Sequence, residues 1–425
     1  MSFSSLKFVM AAALALTGFA SNRLMAATAI VGSCPGSSYA TISAAVAASP
    51  AFSIIKICPG VYPEQVVIKK PLTLVGLAVA DAKNPVLQAP AGGVLVNTAY
   101  LYDGVTPVAA QIFVQNTSSV NISDIAVDGS NNGVTSCGTN LEGIYYQNAS
   151  GTVDNVAVRN QALAGLAKTC FSGDGIYIES GYGTGGVANV RLTNNSIHGY
   201  QKSGITADGS GTNVRIQNNF VTGQGPTTGA PATGIEVSDG ASGSVTGNTV
   251  LDNVFSGEFY ASYGIYIYTS QGITISNNSL GSNQISIATV TDPTEPSLHN
   301  PNGTSDRTTI TNNEITNTGV GDGIDACSNY NNITGNTITN SFVSAVHLDS
   351  LCEGTGQNNA VTLNTINDAC AGVLQGGSPN LVAFNSTHNV QAEVLAGDSC
   401  APSTPASVPA GLPQVRPRIH SPHRH

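Results

Sequence analysis

The chain has 425 residues, of which 9% are charged, against ~25% in an average soluble domain, so an ordinary charged helical bundle is excluded. Gly (47) and Asn (39) together outnumber all Lys, Arg, Asp and Glu (40), and both favour turns over helix interiors. A hydrophobic share of 41% excludes wholesale disorder, and a formal charge of −10 is concentrated between residues 30 and 400, where ten basic residues face 25 carboxylates, a net −15. Such a body argues against nucleic acid as a partner, and against a polyanionic glycan unless a metal ion bridges the two.

Residues 1–29 read as an export signal. Lys7 precedes an apolar run over 8–20, and small residues follow, including Ala27-Thr28-Ala29, with cleavage open anywhere from Ala20 to Ala29. A span needs ~20 apolar residues, so this 13-residue run is too short for an anchor, and no later segment spans a bilayer. The protein is expected to be secreted or periplasmic. Its eight cysteines agree, since an even count in an exported chain points to disulfides. There is no Cys-x-x-Cys pair and no His beside a Cys. By position they fall as Cys34 and Cys58, Cys137 and Cys170, Cys327 and Cys352, Cys370 and Cys400.

Residues 42–48 form the one good helical stretch, placed to cap the open end of whatever follows within a cap over 30–53. From there a Gly-Ile-x-apolar phrase recurs at Gly143-Ile144, Gly175-Ile176, Gly204-Ile205, Gly234-Ile235 and Gly264-Ile265, spaced 32, 29, 30 and 30 residues apart. It returns at Gly323-Ile324, Ala345-Val346 and Gly372-Val373. An Asn-x-aliphatic phrase runs in phase, as in Asn195-Ser196-Ile197, Asn248-Thr249-Val250 and Asn336-Thr337-Ile338. Each period holds two or three short alternating strands and no helix. All-β coils of ~20 to 30 residues stack as a parallel β-helix, here over 54–400 and about a dozen coils deep. One Asn per coil at one turn then forms an amide ladder, and the Asn-x-Ser/Thr triplets are by-products of it. Cys137 and Cys170 lie six and five residues before their own phrases, at the same corner of adjacent coils, so their pairing is expected; the connectivity of the other six stays open. Residues 401–425, with six prolines and three arginines, read as a disordered tail whose His420, His423 and His425 lack fixed geometry.

These phased phrases resemble the right-handed parallel β-helix repeats of the pectin lyase-like superfamily. The stretch Tyr39-Ala40-Thr41-Ile42 with Pro59-Gly60-Val61-Tyr62-Pro63-Glu64 is similar to the capping helix and first coil of that superfamily. The resemblance implies the fold and its right hand but no one reaction. The paired-Asp phrase of polygalacturonases and the Arg phrase of pectin methylesterases are absent, and Arg191 and Arg215 fall on a different strand from the face described next.

In each Gly-Ile-x-apolar-x strand the two x positions are expected to face solvent. They carry Tyr145, Tyr177, Tyr266 and Tyr268, which suit a flat platform for sugar rings. The same columns carry Glu179, Asp208 and Glu236, spaced at ~5 Å and ~8 Å, separations that suit glycoside chemistry or a shifted pKa. Further along stand Asp325, His347 and Asp349, with His347 directly above Asp325 as an acid–base alternative. The phrase Gly321-Asp322-Gly323 reads as a turn. Being solvent-facing, Asp208→Asn and Glu236→Gln are expected to change stability by no more than ~0.5 kcal/mol. The leading reading is an exported protein that binds a polysaccharide along this face, with hydrolysis, elimination or binding alone left open; the rival is a non-catalytic structural or surface-adhesion solenoid. The sequence requires no cofactor, and the acidic body leaves room for calcium.

Overall fold

The computed structural model describes residues 27–77, 84–183, 185–257, 260–294, 300–316 and 321–400. The body of the expected export signal and the Pro-rich tail lie outside the described residues. The described chain winds in coils of three short strands. One coil is Ala188–Thr193, Ser196–His198 and Ser203–Asp208; the next is Thr212–Gln217, Phe220–Thr227 and Thr233–Ser238. Counterpart strands pair in parallel without offset, Val190 beside Val214, Ile197 beside Val221 and Ile205 beside Ile235. Three long faces result, the first of them a sheet of 13 strands. The all-β solenoid expected from the repeat is therefore present.

Inward columns of aliphatic side chains fill the coil. Ile205, Ile235, Ile265, Ile287 and Ile324 follow one another with no exposed surface, each burial worth roughly 1.5–3 kcal/mol. A glycine stands ahead of Ile205, Ile235, Ile265 and Ile324, and Ser286 ahead of Ile287; the stacking leaves little room at this position. A Cβ on Gly204 would stand 2.6 Å from the Gly234 carbonyl oxygen and 2.5 Å from Val221 Cγ1, inside van der Waals contact. The pairing register skips this glycine, so the strand kinks there and the residue before it joins the outward side.

The asparagine ladder is continuous. Asn195, Asn219, Asn248, Asn278, Asn313 and Asn336 each pass Nδ2 to Oδ1 of the next at 2.9–3.0 Å. Each Oδ1 also accepts the backbone N–H of the preceding ladder residue, as Asn278 does from Asn248 at 2.9 Å. The residue before each ladder Asn has positive φ, as in Asn194 (56°), Asn218 (55°), Gly247 (69°) and Asn277 (56°). Asn and Gly tolerate that conformation best, so the Asn-Asn doublets are a turn residue followed by a rung.

At the amino end the helix Ile42–Ala48 buries Ile42, Ala45 and Val46 over the first coils, with Thr41 as N-cap. Glu64 accepts the N–H groups of Ile42 (2.7 Å) and Ser43 (2.8 Å), placing a carboxylate where the helix amides are otherwise unpaired. The sheet begins at Thr28, two residues ahead of the expected cap, in the strand Thr28–Val31. All eight cysteines pair as sequential couples: Cys34–Cys58, Cys137–Cys170, Cys327–Cys352 and Cys370–Cys400.

A buried mid-ladder rung satisfies more groups than an end rung. Asn278→Ala strips four side-chain hydrogen bonds and should cost about 3 kcal/mol, whereas Asn385→Ala at the carboxyl end should cost about 1 kcal/mol. Urea midpoints of the two variants, compared with the parent, check this ordering.

Candidate functional site

The outer side of the third face carries three columns of polar and aromatic side chains. One, just before the kinked glycine, runs Glu142, Asp174, Ser203, Thr233 and Tyr263. The second holds Tyr145, Tyr177, Thr206, Glu236 and Tyr266, and the third Gln147, Glu179, Asp208, Ser238 and Tyr268. Columns and stacking follow the sequence expectation, but exposure does not. Tyr145 and Glu179 have no exposed surface, and Asp208, Glu236, Tyr177, Tyr266 and Tyr268 keep 3% or less.

The cause is chain folded back over the face. Segment 97–106 enters through an antiparallel pairing of Thr98 with Val108 and lays Tyr100 against Tyr145 and Tyr177. Tyr263, Tyr266 and Tyr268 stack on one another at 4.4 and 5.8 Å. The tyrosines pack mainly against each other, so the open platform for sugar rings expected from the sequence is corrected to a buried aromatic cluster.

Glu179 holds the cover down. The N–H groups of Leu101 and Tyr102 each donate to it at 2.8 Å, to Oε2 and Oε1, and the Tyr145 hydroxyl donates as well. Burial, reinforced by the charge of Asp208, pushes its carboxyl up to about 8. Asp208 sits one coil on, accepting from the Tyr177 hydroxyl at 2.8 Å and the Tyr182 hydroxyl at 2.9 Å. The expectation of near-zero stability cost at Asp208 and Glu236 is therefore corrected: both side chains are buried, and buried carboxylates that lose their ionic form or partners cost more than surface ones.

A further group was missed by sequence reading. Glu142 and Asp174 are neighbours on adjacent strands, both without exposed surface. Glu142 accepts from the Tyr100 hydroxyl, while its Oε2 and both oxygens of Asp174 lack a partner at ordinary hydrogen-bond geometry and interact beyond it with each other and with the Ser203 hydroxyl. Glu236 lies in the same neighbourhood, linked to the Ser203 hydroxyl at 3.3 Å. Burial and then Asp174 hold the Glu142 carboxyl well above the usual carboxylate range. Burial also lifts Asp174, against the nearby Lys202, up to about 6. Burial alone would lower the Lys202 ammonium, but Asp174, Glu236 and Glu142 keep it above its ordinary value. Strict alternation assigns the residue before each glycine to the interior; the glycine kink reverses that, and the phrases Glu-Gly-Ile and Asp-Gly-Ile were the available signal.

The third group surrounds His347. It stands directly beside Asp325 in register, as expected, and Asp322, Asp349 and Asp398 join it. Asp322 is no mere turn residue, and Asp398 arrives from 51 residues away. Burial would lower the imidazole, but Asp322, Asp325 and Asp349 push it up to about 10.

The family model of the right-handed beta helix region matches residues 110–302. The described chain has the fold of a right-handed parallel β-helix. That match, with the coil register, bears out the resemblance stated from the repeats. No curated protein matches the chain. Among solved structures it is similar to the A-module of a mannuronan C-5 epimerase from Azotobacter vinelandii (13% identity, 84% of this chain and 93% of that one, TM-score 0.41). It is also similar to a mannuronic acid specific polysaccharide family 6 lyase from human gut microbiota (11%, 81% and 81%, 0.42) and to DFA-IIIase from Arthrobacter chlorophenolicus (14%, 88% and 86%, 0.44). Four disulfides fit an extracellular or periplasmic protein, and no helix among the described residues is long and apolar enough to cross a membrane.

Two outcomes follow for the face. Glu179→Gln replaces one acceptor oxygen by a donor facing a donor, so exchange of the Leu101 and Tyr102 amides should quicken and stability should fall by about 1–3 kcal/mol. Because Asp174 and Glu179 hold protons more tightly folded than unfolded, their contribution is fully present below pH ~4 and is lost as pH rises through about 6 and then about 8. Thermal midpoints at constant ionic strength should fall from pH 4.5 to pH 8.5, less steeply in Glu179→Gln.

Proposed function

We propose that this protein is an exported glycan-active β-helix protein that binds a polysaccharide along the third face and cleaves it by acid–base chemistry at Glu142 and nucleophilic chemistry at Asp174. The observation that carries this reading is that these two buried carboxylates stand side by side, press on each other and lack partners at ordinary hydrogen-bond geometry for most of their oxygens. Leaving such groups unpaired costs stability and recurs where function needs it. The ligand class follows from charge and repetition. The body is acidic, which disfavours polyanions, and its acceptors recur at the coil spacing of roughly 4.8 Å. A neutral polymer with a repeating row of hydroxyl donors suits such a face.

In this reading Glu142, held protonated, gives its proton to the glycosidic oxygen as the bond to the anomeric carbon breaks. Asp174, mostly charged at neutral pH and one strand spacing away, bonds to that carbon as the glycosidic bond breaks; Glu142 then takes a proton from the water whose oxygen displaces Asp174. Lys202 and Glu236 set the field around the pair. Glu179 and Asp208 serve as fastenings of the cover, which has to lift from the face for a chain to enter. Tyr100, on the cover and bonded to Glu142, links its position to the reacting acid.

The test is incubation with a panel of neutral and acidic polysaccharides, following both new reducing ends and the ultraviolet chromophore of unsaturated uronides. Reducing ends alone, lost by about 100-fold or more in Glu142→Gln and Asp174→Asn, support hydrolysis at this pair. The chromophore points instead to elimination, and activity that survives in both variants but vanishes in His347→Ala moves the site to the carboxyl-terminal group. No turnover and no binding across the panel leaves the structural or adhesion solenoid.

A further inference from the structure

The His347 group has a geometry that hydrogen bonding does not explain. Nδ1 of His347 lies 3.5 Å from Asp322 Oδ2 and 3.9 Å from Asp325 Oδ1, both beyond a good N–H···O bond. Asp325 keeps 4% of its surface exposed, and its Oδ1 has no hydrogen-bond partner although it is aimed at the imidazole. Asp322 is oriented from behind. Its Oδ1 accepts the Ser344 N–H at 2.9 Å and the Ser344 hydroxyl at 2.6 Å, which leaves Oδ2 turned to the ring. One ligand atom from each of the three residues can be chosen so that all lie within 4.8 Å of one another. Ligands bound at ~2.1 Å around a tetrahedral metal stand roughly 3.4 Å apart, close to these separations.

The other side of the ring is differently arranged. Nε2 is 3.4 Å from Asp398 Oδ1, and Asp398 is held by the Ser350 N–H and hydroxyl at 3.0 Å each. Asp349 lies 4.0 Å from Nε2, and its Oδ1 already accepts the Leu351 N–H at 2.7 Å. A metal-bound imidazole commonly turns its second nitrogen to a carboxylate in this way. Four carboxylates around one imidazole also leave the group short of positive charge.

We propose that Asp322, Asp325 and His347 Nδ1 form a binding site for a divalent first-row transition metal of the zinc type, with Asp398 orienting the imidazole from Nε2. The nitrogen ligand favours that class over calcium or magnesium, which prefer oxygen donors. The three ligands leave a fourth position for water or another donor. The site joins two successive coils directly and, through Asp398, the end of the described chain.

The test uses the full exported chain after chelator treatment, titrated calorimetrically with zinc chloride and followed by absorbance with cobalt(II). One equivalent per chain, tighter than about 1 μM, with tetrahedral cobalt bands, is expected. Asp325→Asn and His347→Gln should each weaken binding by about 100-fold or more, and Asp398→Asn by about tenfold, while Asp349→Asn stays within a few-fold of the parent. A variant with His420, His423 and His425 changed to Ala should bind as the parent does. Circular dichroism on every variant keeps loss of fold separate from loss of a ligand. Four outcomes overturn the proposal: no stoichiometric binding; binding of calcium in preference to zinc; binding that survives His347→Gln and Asp325→Asn but goes with the tail histidines; or loss in Asp349→Asn with none in Asp322→Asn, which places the metal on Nε2.

Discussion

Each coil hydrogen-bonds to the next in register, apart from a bulge between Thr222 and Gly225, and the rest of the molecule is a consequence of that contact. Position by position, a residue meets its own counterpart above and below, so the choice of a side chain is the choice of a column. Apolar columns make the core, an amide column makes the ladder, and the glycine column exists because the neighbouring carbonyl approaches too closely for a Cβ. The same rule makes charge expensive. A carboxylate placed at one outward position of two successive coils meets its neighbour at strand spacing, where like charges oppose ionisation.

The third face shows how the chain accommodates that cost. Glu179 and Asp208 are adjacent in one column and are covered, yet Glu179 collects two amides from the crossing segment and Asp208 the hydroxyls of Tyr177 and Tyr182. Glu142 and Asp174, adjacent in the first column, two over, receive far fewer. Two like-charged neighbours on one face are thus treated in opposite ways, one pair satisfied and one left short. The difference lies in the donors within reach: backbone N–H groups of the covering segment meet Glu179 and two tyrosine hydroxyls meet Asp208, whereas Tyr100 alone reaches Glu142 from that segment.

Sequence reading recovered what repeats and missed what does not. The glycine and asparagine phrases recur in phase, so the coil, the ladder, the neighbours within a column and the corner shared by Cys137 and Cys170 were all legible. The helix at 42–48 stood out as the one stretch with a different period. Segment 97–106 carries no periodic signal, and nothing local reveals that it folds back across coils made from residues 140–180; hence the tyrosines and carboxylates were expected in solvent and are buried. Asp398 was invisible to the same reading because it joins His347 across 51 residues. Glu142 and Asp174 were missed for a finer reason, since the alternation rule fails at the glycine kink.

The kink and the unshifted register together turn the solenoid into a ruler. From Asp174 the outward column climbs through Ser203, Thr233, Tyr263 and Ile285 to the coil of Asp322, five steps, or roughly 24 Å at the strand spacing. That interval is quantised. Adding or removing a whole coil between the two groups would leave each of them internally unchanged and alter their separation by one rung, whereas extra residues within a coil are taken up in its loops, as the coils of 22 residues (Ile265 to Ile287) and 37 residues (Ile287 to Ile324) that keep the same column show. The distance between the carboxylate pair and the imidazole group is therefore set by counting coils, and can change only by whole numbers.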